Sequence, residues 1–363
     1  MPSFLNRFST QNEPLQDEFS VAEVSHAVLR DVGRAEGTWT VRGQTTEKPI
    51  NDCFKTAESV IWRKNEDRFR VAQTADAILA TVADGAGSSG MFCGAWAEAL
   101  VENLPLSPIG DVQGLNTWID GFWQDFSTTN KQRAVNDPTK LNKFVREGSC
   151  STLSACWIDK GQVGDTPFLN WLCYGDSHFC AFDKTPNALS LASGFPASLQ
   201  AMASDPHLLN WKDLPDEKHL RTGRITLSQS TLIVLASDGL GEFLHLSYLA
   251  DVYARQSGGD HAGTSAHTQA LMTEFRQLHN GGSGKLADLA RNHVNHAGDG
   301  FWHQLDALSQ ALESQESFAQ SIKQHHADGL ISNDDATLIL IDFEMGEMAG
   351  EMGNEAIDLA GET

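Results

Sequence analysis

Positive charge is scarce in this chain. Lys and Arg number 26 against 48 Asp and Glu in 363 residues, a formal charge of −22. That balance argues against nucleic acid and against anionic membrane surfaces as partners, because both recruit proteins through basic side chains. Long apolar runs are also missing. No stretch approaches the roughly 20 residues needed to span a bilayer, and Met1 to Ser20 has no continuous apolar segment of leader-peptide type. The expected location is therefore cytoplasmic. Cysteine is present but unpaired in pattern: Cys53, Cys93, Cys150, Cys156, Cys173 and Cys180 contain no C-x-x-C spacing and lie mostly inside apolar stretches. They read as reduced core residues, without a disulfide framework.

What the chain does have is acid at the ends of apolar runs. Five short clusters recur: Asn65-Glu66-Asp67, Asp84-Gly85, Gly175-Asp176-Ser177, Ser237-Asp238-Gly239 and Asn333-Asp334-Asp335. Asp84, Asp176 and Asp238 follow strand-like segments, whereas Asp334 precedes one, Thr337 to Ile341. If these strands are antiparallel neighbours, exits and entries share one sheet edge and the carboxylates converge. Converging carboxylates repel unless a cation lies among them, and an all-oxygen donor set suits Mg²⁺ or Mn²⁺. Taken singly, each Asp-Gly is an ordinary turn dipeptide. The ordered set is what points to a metal site.

At these positions the chain resembles the PPM-type metal-dependent Ser/Thr phosphatases, the protein phosphatase 2C family. The matching segments are Asn65-Glu66-Asp67-Arg68-Phe69, Val82-Ala83-Asp84-Gly85-Ala86-Gly87, Gly148-Ser149-Cys150-Ser151-Thr152-Leu153, Tyr174-Gly175-Asp176-Ser177, Leu235-Ala236-Ser237-Asp238-Gly239-Leu240 and Asp334-Asp335-Ala336-Thr337. The resemblance implies an α+β fold, a four-layer αββα sandwich of two mainly antiparallel sheets flanked by helices. It implies hydrolysis of phosphoserine or phosphothreonine in a phosphorylated protein substrate by direct attack of a water bridging two Mn²⁺ or Mg²⁺ ions. Asp84 would bridge the ions, the Gly85 carbonyl would complete one, and Asp238 and Asp334 would bind the other. Glu66 and Asp67 would act through metal-bound water, and Asp176, with Asp238, matches the surroundings of a third ion found in many members. The catalytic pair is thus Asp84 and Asp238.

The departures concern the substrate phosphate. Family members carry an arginine four residues before the glutamate of the first motif; here Trp62 stands there, and the adjacent Arg63 is the candidate phosphate contact. Ala86 replaces a frequent His or Met, and His178 a frequent Arg. The same-fold alternative is a pseudophosphatase acting as a protein-binding module. A different class enters through Gly85-Ala86-Gly87-Ser88-Ser89-Gly90, which spells G-x-G-x-x-G between a strand and a helix, although no regular βαβ alternation follows. No cysteine is followed by five residues and Arg, so a phosphocysteine route is not expected.

The organisation expected is an N-terminal extension over 1–35, a phosphatase domain over 36–345 and an acidic tail over 346–363. Ser88 or Ser89 is placed to cap a helix bearing Phe92, Ala95, Trp96, Ala99 and Leu100 on one face. Leu115, Trp118, Ile119, Phe122, Trp123 and Phe126 mark a second helix. Residues 193–224, with Pro196, Pro206 and Pro215, correspond to a flap beside the active site in the resembling family. An enlarged helical segment at about 243–330, including Leu271 to Leu278 and Phe301 to Ile322, is the candidate site for a regulatory partner. It holds most of the 13 histidines. His293, His296, His325 and His326 could be read as a zinc site, but solvated histidines on helix surfaces are the expectation.

Overall fold

The computed structural model describes residues 27–31, 37–50, 53–55, 60–62, 64–74, 76–161, 166–185, 188–257, 265–297 and 300–345. Arg63, the tail 346–363 and most of the segment 1–35 lie outside the described residues.

Side-chain alternation builds the layers. In the strand β14 (Ser230–Ala236), Leu232, Val234 and Ala236 enter one apolar cluster while Ile233 and Leu235 enter another. A strand buried on both faces has helices on one side and a second sheet on the other. The first sheet has the order β1 (Ala27–Asp31), β2 (Gly37–Thr46), β15 (Ala336–Met345), β14, β10 (His178–Thr185) and β11 (Ala188–Phe195), with every neighbouring pair antiparallel. The second has the order β13 (Leu220–Thr226), β9 (Phe168–Tyr174), β8 (Leu153–Asp159), β6 (Ala77–Ala83) and β5 (Arg68–Gln73), again all antiparallel. Two short pairs, β3 (Cys53–Lys55) with β4 (Val60–Trp62) and β7 (Cys150–Ser151) with β12 (Leu209–Asn210), complete the strands.

The two sheets face each other across Trp39, Ile78, Cys156, Phe179, Ile233 and Ile339. Outside the second sheet lie α1 (Cys93–Asn103), α2 (Val112–Asp120), α3 (Trp123–Ala134) and α4 (Pro138–Glu147), packed through Trp96, Leu100, Leu115 and Phe144. Beyond the first sheet, α5 (Leu199–Met202), α6 (Asp238–Ser257), α7 (Ala266–Gly281), α8 (Lys285–Asn295), α9 (Gly300–Ala311) and α10 (Gln315–Ala327) share one cluster with its strands. The result is the αββα sandwich. The 243–330 segment is its outer helical layer, built continuously onto the sheet.

Several local expectations are corrected. β1 pairs with β2, so part of the stretch set apart as an extension is an edge strand of the first sheet. Neither Ser88 nor Ser89 caps α1: the chain turns through 87–92 and enters the helix from Phe92 at φ 59 without a side-chain cap. The aromatic stripe from Leu115 to Phe126 belongs to two helices, because the chain breaks at Gly121 and Phe122. The stretch from Phe301 to Ile322 is likewise split, with Ser314 accepting from the Ser317 N–H to start α10. Among the described residues no helix is long and apolar enough to cross a membrane.

Candidate metal centre

Strand register explains how distant acids meet. In the second sheet Arg68 pairs with Ala83, which puts Asp67 and Asp84 one step beyond at the same end. Asp84 continues the ladder to Thr152: its N–H donates to Thr152 Oγ1 at 3.0 Å, and its carbonyl accepts from the Thr152 N–H at 2.9 Å. Leu153 pairs with Tyr174, so Gly175 and Asp176 follow beside Thr152, whose hydroxyl lies 2.5 Å from Ser177 Oγ. In the first sheet His178 pairs with Ala236 and Ala236 with Leu338. Asp176, Asp238 and Asp334 therefore all fall just past that end. Gly85 fits here only because it has no side chain, since a Cβ would sit 2.7 to 2.8 Å from the backbones of Cys93, Gly94 and Glu66.

Hydroxyls clamp the two sheets together at this edge. Asn65 Nδ2 donates to Thr45 Oγ1 at 2.8 Å, and Thr45 lies 2.7 Å from Thr337 Oγ1. Thr337 donates to Asp67 Oδ2 at 2.8 Å, and the Asp67 N–H returns to Asn65 Oδ1 at 2.8 Å. Asp335 braces two loops, accepting from the Glu66 N–H at 2.8 Å and the Lys48 N–H at 3.0 Å. None of these supporting roles was read from the sequence. Asp335 and Thr337 sit inside a recognised motif, but only the fold shows what they hold.

Glu66, Asp84, Gly85, Asp176, Asp238 and Asp334 line a single cavity of about 690 Å³. Asp67 does not line it. It is fully buried behind the wall, and its Oδ1 has no hydrogen-bond partner. Lys48 and Lys64 also border the cavity, as do Asp205 and Leu208 of the 193–224 segment. That segment is fastened to the body: β12 pairs with β7, and the Leu199 N–H of α5 donates to Glu274 Oε2 of α7 at 2.7 Å.

The acids are crowded electrostatically. Burial, and then repulsion by Asp67, Asp238, Asp334 and Asp176, holds the Asp84 carboxyl well above the usual range. Burial followed by Asp176 and Asp334 does the same to Asp238. Burial first, with Glu242 and Asp334 adding, pushes Asp176 up to about 6. Asp67 is pushed up to about 7, by burial and then by Asp335. Carboxyls raised by burial and one another favour a bound cation.

The donor set fits a hard divalent ion: the acids lining the cavity offer carboxylate oxygens and Gly85 adds a backbone carbonyl. Among the described residues no three His, Cys, Asp or Glu side chains form a group that could hold a metal directly. Mg²⁺ is commonly held by one or two carboxylates and several waters, and the cavity is large enough to take them. The described histidines of the helical layer form no such group either. His245 and His293 are buried rather than solvated, contrary to the sequence expectation, and His293 bridges Ser247 Oγ and the Leu330 carbonyl, each at 3.0 Å.

Alignment with solved structures covers most of the chain. RsbX in complex with magnesium is 12% identical over 88% of this chain and 100% of its own, with a TM-score of 0.36. The catalytic domain of the serine/threonine protein phosphatase PstP, in complex with two manganese ions, is 14% identical over 85% of this chain and 99% of its own, at 0.39. The S. agalactiae serine/threonine phosphatase is 14% identical over 83% and 98%, at 0.38. No family model matches the chain, and no curated protein matches it.

Proposed function

We propose that this chain is a Mn²⁺- or Mg²⁺-dependent phosphatase acting on phosphoserine and phosphothreonine in proteins. One observation carries the reading: carboxylates delivered by strand ends of both sheets border one cavity, and burial with repulsion from neighbouring acids raises the proton affinity of Asp84, Asp176 and Asp238. A module that only binds a partner has no use for such repulsion.

Asp84, the Gly85 carbonyl, Asp238 and Asp334 would hold two ions. Glu66 and Asp67 would orient water around them, and Asp176 with Asp238 would offer a third, weaker position. When bound, the ions supply Lewis acidity, neutralising phosphoryl oxygens and acidifying water in the cavity. The chain's own contribution is positioning. Asp335 fixes the Glu66 loop, the Asn65, Thr45 and Thr337 network fixes Asp67, and Thr152 fixes Asp84.

The thiols support direct water attack over a phosphocysteine route. Cys93, Cys150, Cys156, Cys173 and Cys180 are buried, and burial pushes Cys93, Cys156 and Cys173 up to about 12, so these three offer no thiolate near neutrality. Cytoplasmic residence and a regulatory partner on the 243–330 layer complete the proposal.

The test is hydrolysis of p-nitrophenyl phosphate and phosphopeptides with Mn²⁺, with and without chelator. Outer partners of a metal are already worth about 10- to 100-fold. Asp84→Asn and Asp238→Asn are therefore expected to cost about 100-fold or more in kcat with the fold retained. Wild-type protein that binds phosphopeptides without turning them over would favour the pseudophosphatase.

A further inference from the structure

The cavity poses a charge problem for its proposed substrate. A phosphomonoester is a dianion, yet the walls carry Glu66, Asp84, Asp176, Asp205, Asp238, Asp334 and Asp335. Bound divalent ions offset the acids nearest to them. The phosphoryl oxygens turned away from those ions still need a donor of positive charge.

Among the described residues, the cations lining the cavity are Lys48 and Lys64. Lys48 is not a loose surface lysine. Its N–H donates to Asp335 Oδ1 at 3.0 Å, and the same carboxylate takes the Glu66 N–H at 2.8 Å, so one side chain sets the Lys48 loop against the Glu66 loop. Two residues on, the Ile50 N–H donates to Asn333 Oδ1 at 2.7 Å, and Asn333 Nδ2 returns to the Ile50 carbonyl at 3.0 Å. Three hydrogen bonds from the chain segment entering β15 therefore pin this loop beside the acids. Lys48 is half-buried; Lys64 is exposed, two residues before Glu66.

We propose that Lys48 and Lys64 form the phosphate-holding side of the cavity, with Lys48 gripping the phosphoryl group and Lys64 drawing it in at the mouth. This rests on the phosphatase reading and adds the residues that receive the substrate's charge. Lysine is a point charge on a flexible stem, without the planar fork of arginine. The grip should therefore select for charge more than for the shape of the group attached to the phosphate.

The experiment compares wild type, Lys48→Met, Lys64→Met, the double variant and Lys48→Arg, all loaded with Mn²⁺. Inorganic phosphate binding is measured by calorimetry, phosphopeptide kinetics are followed in parallel, and Mn²⁺ affinity is measured without phosphate. A hydrogen bond to a charged group is worth enough that the double variant should bind phosphate about tenfold more weakly or worse. KM should rise in parallel and by more than kcat falls. Mn²⁺ affinity should hold or tighten, since positive charge beside the ions has been removed, and Lys48→Arg should restore phosphate binding. Unchanged phosphate affinity in the double variant overturns the proposal, and so does a joint loss of phosphate and Mn²⁺ binding, which marks a structural role. Lysine-dependent phosphate binding without turnover would sink the phosphatase reading and leave this one standing; turnover indifferent to both lysines would do the reverse.

Discussion

Asp67 is the residue at which folding and function pull hardest against each other. It has no exposed surface, spends one oxygen on Thr337 and leaves the other unpartnered, and its carboxyl is pushed from 3.8 up to about 7. An acid whose folded pKa exceeds its unfolded value binds more protons folded than unfolded. The folded state therefore loses stability as pH rises from about 4 through about 7. At about 1.4 kcal/mol per unit, the cost to the metal-free protein is on the order of 4 kcal/mol. Asp67→Asn is expected to flatten this part of the pH dependence, as read by urea unfolding in chelator at about pH 5 and about pH 8. A variant with the wild-type slope would show that Asp67 is not the strained group. The sequence marks Asp67 by its motif but not its burial. Lys48 carries no motif at all, because only the closure of β2 onto β15 brings it to the acids.

Among the elements, the helical layer has the opposite pH response. His293 on α8 meets the Phe243 ring edge-on, 5.2 Å between centroids, and bonds Ser247 on α6 and the Leu330 carbonyl. Burial lowers its pKa from 6.5 to about 4. The unfolded chain takes up a proton that the folded one refuses, so stability is lost as pH falls from 6.5 to about 4. His293→Gln should weaken this acid sensitivity while lowering the urea midpoint at neutral pH. Retention of the full acid sensitivity would assign it to other groups, such as His245. The broken stripe shows what periodicity can and cannot tell. Leu115 and Phe126 fall on opposite sides of the Gly121 and Phe122 break yet enter the same core, so the three-and-four spacing survives a chain interruption it cannot reveal. In the same way, α9 and α10 read as one helix because Leu305 and Phe318 share one cluster.

For the molecule as a whole, the formal charge of −22 and the acid-lined cavity predict that divalent ions stabilise the fold. A ligand that binds only the folded state adds about 2.7 kcal/mol when present at about 100 times its Kd. Mn²⁺ should accordingly raise Tm and the urea midpoint well beyond what NaCl of equal ionic strength achieves, and chelator should reverse the gain. Equal shifts from the two salts would mean general screening and no specific site. The four-layer architecture was legible through the family resemblance of the ordered acidic motifs, and burial of β14 and β15 on both faces agrees with a layer on each side. The placement of the 243–330 residues was not, because amphipathic helices look alike whether they extend a domain or close its core.

The Glu274 contact has a mechanical corollary. One of its carboxylate oxygens receives the N–H groups of both Leu199 and Gln200, and the chain running on from α5 supplies Asp205 and Leu208 to the rim of the cavity. A force or ligand that lifts α7 must first strip an acceptor from two amides, so displacement of α7 would be passed to α5 and the stretch of rim that follows it.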